Sequence, residues 1–177
     1  MRIDGDGSSA RATHLALRFL ALKDRTEREI RAYLEKKGTA PQDVQFALER
    51  LRGWGYLDDE RVALGWTKSR IERAQWGPAR LARDLATRGV GEEVIDRVLH
   101  AAMEDVSEEE LARRATERYL QSHPGSHGRG GIRRLAGYLG RRGYGGEVIR
   151  RILDERRETL REVQIEDDPN TVNARRA

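Results

Sequence analysis

The 177-residue sequence predicts an all-α protein, an elongated array of three tandem three-helix repeats, and three observations carry that expectation. The first is a recurring apolar pattern. Ile30, Leu34, Gly38, Val44 and Leu48 return as Leu81, Leu85, Gly89, Ile95 and Leu99, then as Leu135, Leu139, Gly143, Ile149 and Leu153, with one internal spacing and offsets of 51 and 54 residues. A period of that size marks stacked units, none of which can bury its apolar face alone. The second is the turn inside each unit, where Arg88-Gly89-Val90-Gly91-Glu92-Glu93-Val94-Ile95 parallels Arg142-Gly143-Tyr144-Gly145-Gly146-Glu147-Val148-Ile149. Glycine at such a place fits the left-handed residue that ends a helix. The third is composition: with 36% charged residues, much of every helix must face water. An extended array tolerates this, because it exposes more surface per residue than a sphere. Function is therefore expected on a long surface built by repetition rather than in one catalytic pocket.

Residues 1–10, with Gly5, Gly7, Ser8 and Ser9, read as a flexible leader. The first repeat spans 11–57. Its first helix runs from Arg11 to Lys23, with Ala12, Leu15, Ala16, Phe19, Leu20 and Leu22 on the apolar side. Thr26 and Glu29 have capping-box spacing ahead of a second helix that carries Ile30 and Leu34 and stops at Gly38. Pro41 opens the third helix, whose stripe is Val44, Ala47, Leu48 and Leu51 and whose end is marked by Gly53 and Gly55. The second repeat spans 58–106: a helix from Asp58-Asp59-Glu60 through Trp66 and Ile71, a Gly77-Pro78 start, the break at Gly89, and a last helix with Val94, Ile95, Val98 and Leu99. The third spans 107–156, capped by Ser107 with Glu110 three residues on, and its connector over 122–131 reads as a flexible joint that accounts for the wider second offset. Residues 157–177 read as a loose acidic tail. No stretch alternates as a strand does.

The absence of cysteine excludes disulfides, thiolate metal sites and a cysteine nucleophile. No apolar run is long enough to span a membrane, and the start lacks a signal-peptide core, so a soluble, cytoplasmic protein is expected. The net charge of +4 is unevenly placed: residues 111–153 hold ten arginines against only Glu117 and Glu147. A polyanion or an acidic protein groove is the physical expectation for that segment, with a solvated arginine-rich surface as the plainer reading.

Few residues point to chemistry. Asp58, Asp59 and Glu60 are read as a helix cap and first turn rather than metal ligands, since no further acid or histidine repeats to complete a site. His123 and His127 have a metal-like spacing, but Pro124 and Gly125 argue against the helix that would align them. The glycine run at 125–131 lacks the Lys-Ser/Thr pair of a phosphate loop. No nucleophile, base and orienting group can be assembled, so neither an enzyme nor a cofactor or metal site is expected. Trp54, Tyr56 and Leu57 are read as core between repeats, and Trp66 as core. Trp76, flanked by Arg70, Arg73 and Arg80, reads either as a stacking or anchoring residue or as a cap on the repeat's core. Arg133 with Arg134, Arg141 with Arg142 and Arg150 with Arg151 form three adjacent pairs flanking the third apolar stripe; neighbours on a helix diverge by about 100°, so one of each pair can line a common surface. These ten residues are the candidate partner-binding set.

The run Gly55-Tyr56-Leu57-Asp58-Asp59-Glu60-Arg61-Val62-Ala63, followed by Ser69-Arg70, Gly77-Pro78, Leu81, Leu85 and Gly89 inside a triplicated frame over about 11–156, resembles the signature of the RecX family of bacterial recombination regulators. The resemblance implies a curved array of three-helix repeats. It further implies a monomer that binds the groove of the RecA–DNA filament and modulates, most often inhibits, ATP hydrolysis, strand exchange and stimulated LexA cleavage. Partners would be the RecA filament and the single-stranded DNA within it, with weak direct DNA binding in addition and no membrane. The long third connector and the acidic extension depart from the plain pattern and leave open which contacts the third repeat makes. The other class of function is an autonomous DNA-binding protein that inserts helix-turn-helix-like pairs into a groove.

Overall fold

The structure, a computed structural model, describes residues 5–124 and 129–166, with side chains over 7–124 and 130–158. Among the described residues it is all-helical, with nine α-helices and no strand: α1 (Gly5–Leu20), α2 (Glu27–Lys36), α3 (Pro41–Gly53), α4 (Asp59–Ala74), α5 (Pro78–Thr87), α6 (Glu92–Ala102), α7 (Glu108–Ser122), α8 (Arg129–Arg142) and α9 (Gly146–Glu166). Two compact units result, one of Met1–Ser69 with Ala82–Ala102, the other of Arg70–Leu81 with Met103–Ala177. Helices α4 and α5 each contribute residues to both.

Local chemistry fixes the helix ends. Thr26 accepts the Glu29 amide at 3.3 Å and Glu29 returns a carboxylate to the Thr26 amide at 3.1 Å, so the capping box is complete. Ser107 caps α7 by accepting from the Glu110 amide at 3.1 Å. Gly38, Gly89 and Gly143 adopt φ of +75, +85 and +86°, the left-handed region that glycine enters without strain. The residue after each bonds back to Leu34, Leu85 or Leu139, at 3.1, 3.1 and 3.3 Å. One Schellman turn is thus built three times.

In the first unit, α1 packs chiefly on α3. Ala12 and Ala16 meet Ile30, Leu34, Val44, Ala47, Leu48 and Leu51 in one core, and a second cluster joins Ala63, Leu85, Val90, Ile95 and Val98. In the second unit α7, α8 and α9 pack on one another, with Leu111, Ala115, Leu135, Leu139 and Ile152 buried. The repeated stripe is shifted slightly from the sequence pattern. Ala47, Val98 and Ile152 are the equivalent positions buried in all three repeats, whereas Leu99, Ile149 and Leu153 are half-buried.

The turns at Gly89 and Gly143 each also receive the start of a helix from the preceding repeat. In the first unit, the Thr26 hydroxyl donates to the Arg88 carbonyl at 2.8 Å, and the Arg88 guanidinium pairs with Glu29 at 2.8 Å. In the second unit, the Gly77 amide donates to the Arg142 carbonyl at 2.7 Å and the Ala79 amide to the Gly143 carbonyl at 3.2 Å. A helix start thus faces the carbonyls of a helix end in both units, through a hydroxyl in the first and through amides in the second, and opposite dipole ends meet.

Several expectations are corrected. Helix α1 begins at Gly5 rather than Arg11, so residues 5–10 are helical; the Ser8 and Ser9 hydroxyls hold this first part by donating to the two oxygens of buried Asp43 at 2.6 and 2.5 Å. The helix closes at Leu20, so Leu22 lies beyond it and is 79% exposed, while Ala12 and Ala16 are the fully buried apolar residues of α1 and Leu15, Leu17, Phe19 and Leu20 are half-buried against the core. Trp54 and Tyr56 are exposed rather than core; only Leu57 packs against the first cluster. Helix α9 continues through Glu166, past the point where apolar periodicity fades. Within the connector, α7 reaches Ser122 and α8 starts at Arg129, and residues 125–128, including His127, lie outside the described residues, as do 1–4 and 167–177 of the leader and tail.

Candidate functional site

Of the carboxylates at the start of the second repeat, Asp58 serves its own helix and the other two bond to neighbouring helices. Asp58 accepts the Arg61 amide at 2.9 Å, Asp59 accepts the Glu27 amide at 2.8 Å, and Glu60 pairs with Arg97 at 2.8 Å. Burial pushes the Asp59 carboxyl above its ordinary value, against the pull of the Glu27 amide, while the Arg97 hydrogen bond holds Glu60 below its own. Among the described residues no group of three or more His, Asp or Glu could hold a metal ion.

The second unit gathers the arginines. Gln75 is the one non-glycine residue with positive φ (48°) among the described residues, and it turns the chain out of α4 just before Trp76. The half-buried indole has the Arg80 guanidinium 3.8 Å and the Arg70 guanidinium 5.1 Å from its centroid, so cation–π attraction accounts for both neighbours. Arg80 also donates to the Arg141 carbonyl at 3.1 Å. Arg73 stays exposed, and its carbonyl accepts from Arg118 at 2.7 Å. The buried Tyr144 hydroxyl donates to the Gln75 carbonyl at 2.8 Å, and burial raises its pKa.

Along α8, Arg133, Arg134 and Arg141 line a cleft of about 450 Å³ with Tyr119, His123, Gly137 and Tyr138. Tyr119 stacks on the His123 ring at 4.2 Å and tilts against Tyr138 at 4.7 Å. No carboxylate lines this cleft. Three guanidinium forks beside aromatic rings can take phosphate or carboxylate oxygens bidentately, which lysine does not reproduce. The three adjacent pairs resolve differently. Arg133 and Arg134 are both exposed; Arg141 is exposed while Arg142 folds over Tyr138 at 4.8 Å with its Nη1 buried. Arg150 pairs with Glu147 at 3.0 Å and Arg151 with Glu109, so neither belongs to the cleft.

Three-helix domains of one family match this chain in series: RecX, first three-helix domain, over residues 12–51; RecX, second three-helix domain, over 58–99; and RecX, third three-helix domain, over 107–153. The chain is 37% identical over 141 residues to the regulatory protein RecX of Trichlorobacter lovleyi, covering 79% of this chain and 92% of that one. The chain belongs to the RecX family. It is also 40% identical over 144 residues to the regulatory protein RecX of Mycolicibacterium vanbaalenii, covering 78% of this chain and 77% of that one. Among solved structures, one titled as a crystal structure of regulatory protein RecX superposes with a TM-score of 0.71 at 26% identity, over 85% of this chain and 73% of that one. RecX from Lactobacillus salivarius shares the fold, with a TM-score of 0.72 at 16% identity over 85% and 97%. RecX proteins are regulators, not enzymes.

In RecX terms the Trp76 stack lies in the second three-helix domain and the arginine cleft in the third. Sequence reasoning missed the exposed aromatic group of the first domain, where Arg50 lies over Trp54 at 4.7 Å and Phe46 at 5.6 Å and Tyr56 meets Trp54 edge-on. The available signal was Gly53 and Gly55 on either side of Trp54, which leave the indole no neighbouring side chain to bury against.

Proposed function

We propose that this chain regulates the RecA recombinase by binding the RecA–DNA filament, acting as an inhibitor of ATP hydrolysis, strand exchange and co-protease function. Membership of the RecX family supports the regulatory role. The observation that supports the place of contact is the carboxylate-free cleft on α8, where the guanidinium groups of Arg133, Arg134 and Arg141 make no ion pair among the described residues. Such a surface suits phosphates of the enclosed DNA or acidic side chains of RecA. Arg70, Trp76 and Arg80 add a second contact in the middle repeat, while Arg142, Arg150 and Arg151 support the fold and the surface charge. The protein acts in the cytoplasm as a monomer without a cofactor.

The test is co-pelleting with RecA filaments formed on single-stranded DNA with a non-hydrolysable ATP analogue, together with RecA ATPase rates. Reversing Arg133, Arg134 and Arg141 to Glu is expected to weaken inhibition at least tenfold with an unchanged circular-dichroism melt, and Trp76→Ala to weaken it less. Native binding should fall steeply as salt rises, because the contacts release counterions. Full inhibition by the triple reversal would move the interface to the first two repeats. Tight binding to oligodeoxythymidine with no effect on RecA would favour the autonomous DNA-binding reading.

A further inference from the structure

One face of the first repeat carries a second charged cleft that the family signature does not touch. Along α1, Arg11, Leu15 and Arg18 follow at intervals of four and three residues and so share one side of the helix, and Leu22 in the turn after it lines the same cleft. Tyr33 and Lys37, one helical turn apart on α2, form the opposite wall of a cleft of about 760 Å³. Its lining holds three cations and no carboxylate.

Ion pairing elsewhere in this unit makes that imbalance informative. Arg31 and Arg52 both pair with Glu27, Arg88 with Glu29 and Arg97 with Glu60. Neither Arg11 nor Arg18 has an ion pair among the described residues, and Leu22, at 79% exposure, is the most exposed large apolar side chain among them. Two unpaired guanidinium groups set beside the open Leu22 and the half-buried Leu15 call for an occupant that carries both carboxylates and aliphatic side chains.

We propose that this cleft of α1 and α2 is a docking site for an acidic, leucine-type peptide segment of a protein partner. Carboxylates of the segment meet Arg11, Arg18 and Lys37, and its apolar side chains lie on Leu15 and Leu22. Nucleic acid fits the geometry less well. The aromatic rings of the cleft, Phe19 and Tyr33, already stack on each other at 4.0 Å, and their outer faces are covered by Arg25 at 4.2 Å and Lys37 at 5.6 Å. No open ring face is left on which a base could stack, and aliphatic leucines offer no substitute. This site is separate from the α8 arginines, so it stands or falls independently of the RecA reading.

The experiment is fluorescence anisotropy of the full chain with a labelled twelve-residue peptide alternating acidic and leucine pairs. A peptide with Lys in place of each acid and an oligodeoxythymidine of equal length serve as comparators. Saturable binding of the acidic peptide alone is expected, reduced about tenfold by Arg18→Glu and about tenfold by Leu22→Ser, a substitution at an exposed position. Arg150→Glu, a charge reversal on α9, should change it less than twofold. Circular dichroism of each variant separates loss of binding from loss of fold. Absence of saturable peptide binding, equal binding of the lysine peptide, or survival of binding in both cleft variants would overturn the proposal. Oligonucleotide binding that is lost with Arg18→Glu would overturn it in favour of nucleic acid.

Discussion

The two places where a helix start meets the glycine turn of the next repeat solve one geometric problem with different atoms. At Arg88–Gly89 the link is a side chain: the Thr26 hydroxyl reaches the carbonyl, and the Glu29–Arg88 pair flanks it. At Arg142–Gly143 the link is backbone, from the amides of Gly77 and Ala79. The second therefore needs closer approach. A Cβ on Gly77 would lie 2.6 Å from the Gly143 carbonyl carbon, where no substituent fits. The polar partners also change sign. Arg80 occupies the position equivalent to Glu29, and it stacks on Trp76 instead of pairing with the turn's arginine. Repetition of a fold thus preserves the glycine and the apolar stripe but not the polar chemistry at the seam, and the seam is where the repeats acquire separate roles.

The largest effects should come from emptying the core beneath each seam. Leu85 and Leu139 are both fully buried and their carbonyls close the two turns, so Leu85→Ala and Leu139→Ala are each expected to cost about 2–5 kcal/mol in denaturant melts. A loss well under 1 kcal/mol for one of them would end the equivalence of the repeats.

The three turn glycines provide a graded comparison. Alanine at any of them meets the left-handed penalty of roughly 1–2 kcal/mol. Gly38→Ala adds nothing, because the space around it is open. Gly89→Ala must displace the Arg28 side chain, whose Cδ can swing aside but whose Cβ, 2.7 Å away, gives less readily, and Gly143→Ala runs into the Arg80 backbone, which cannot move aside. Overpacking of that last kind costs a further 1–3 kcal/mol or so, giving the order Gly143, Gly89, Gly38. Equal losses at all three would show that the backbone seam relaxes as easily as the side-chain seam.

Thr26→Val tests the side-chain seam directly. It removes a helix cap and the bond to Arg88 while keeping the shape, at an expected cost of about 1–3 kcal/mol by thermal melting. At the second seam the Gly77 and Ala79 donors are main chain and cannot be deleted; a buried side-chain bond beside them is tested by Tyr144→Phe, which strips the buried Gln75 carbonyl of its donor and should cost about 1–2 kcal/mol. The smallest effect is a pH dependence at the first seam. Because the Asp59 carboxyl is raised in the folded state, its stabilising contribution is fully present below the unfolded value of about 3.9 and fades as pH rises through the folded one. The stability difference between the native chain and Asp59→Asn, measured from about pH 3 to 7, should therefore shift toward the variant as pH rises.

The repeats, the capping box at Thr26 and the glycine turns were legible because each is a short-range pattern with a fixed period. Contacts across the seams were not, since nothing in Thr26 or Gly77 announces a carbonyl more than sixty positions away. The first helix misled for a different reason. Its leucines carry the apolar periodicity, yet Ala12 and Ala16 are the residues small enough for α1 to lie close on α3. Of the candidate arginines, Arg133, Arg134 and Arg141 come together on one cleft, whereas Arg150 is taken by Glu147, three residues earlier on the same helix, and Arg151 by Glu109 on α7, which the sequence could not place.

The seam between repeats is heterologous: one side supplies donors, the other acceptors, and the two surfaces are unlike. Contacts of that type add units indefinitely unless something terminates them. In the first repeat the equivalent turn is Lys37–Gly38. The amino-terminal part of α1, fastened through Ser8 and Ser9 to Asp43, borders that turn across a pocket of about 260 Å³. The turn and a half of helix that the sequence pattern did not foresee thus stands beside the one glycine turn of the three that receives no helix start among the described residues.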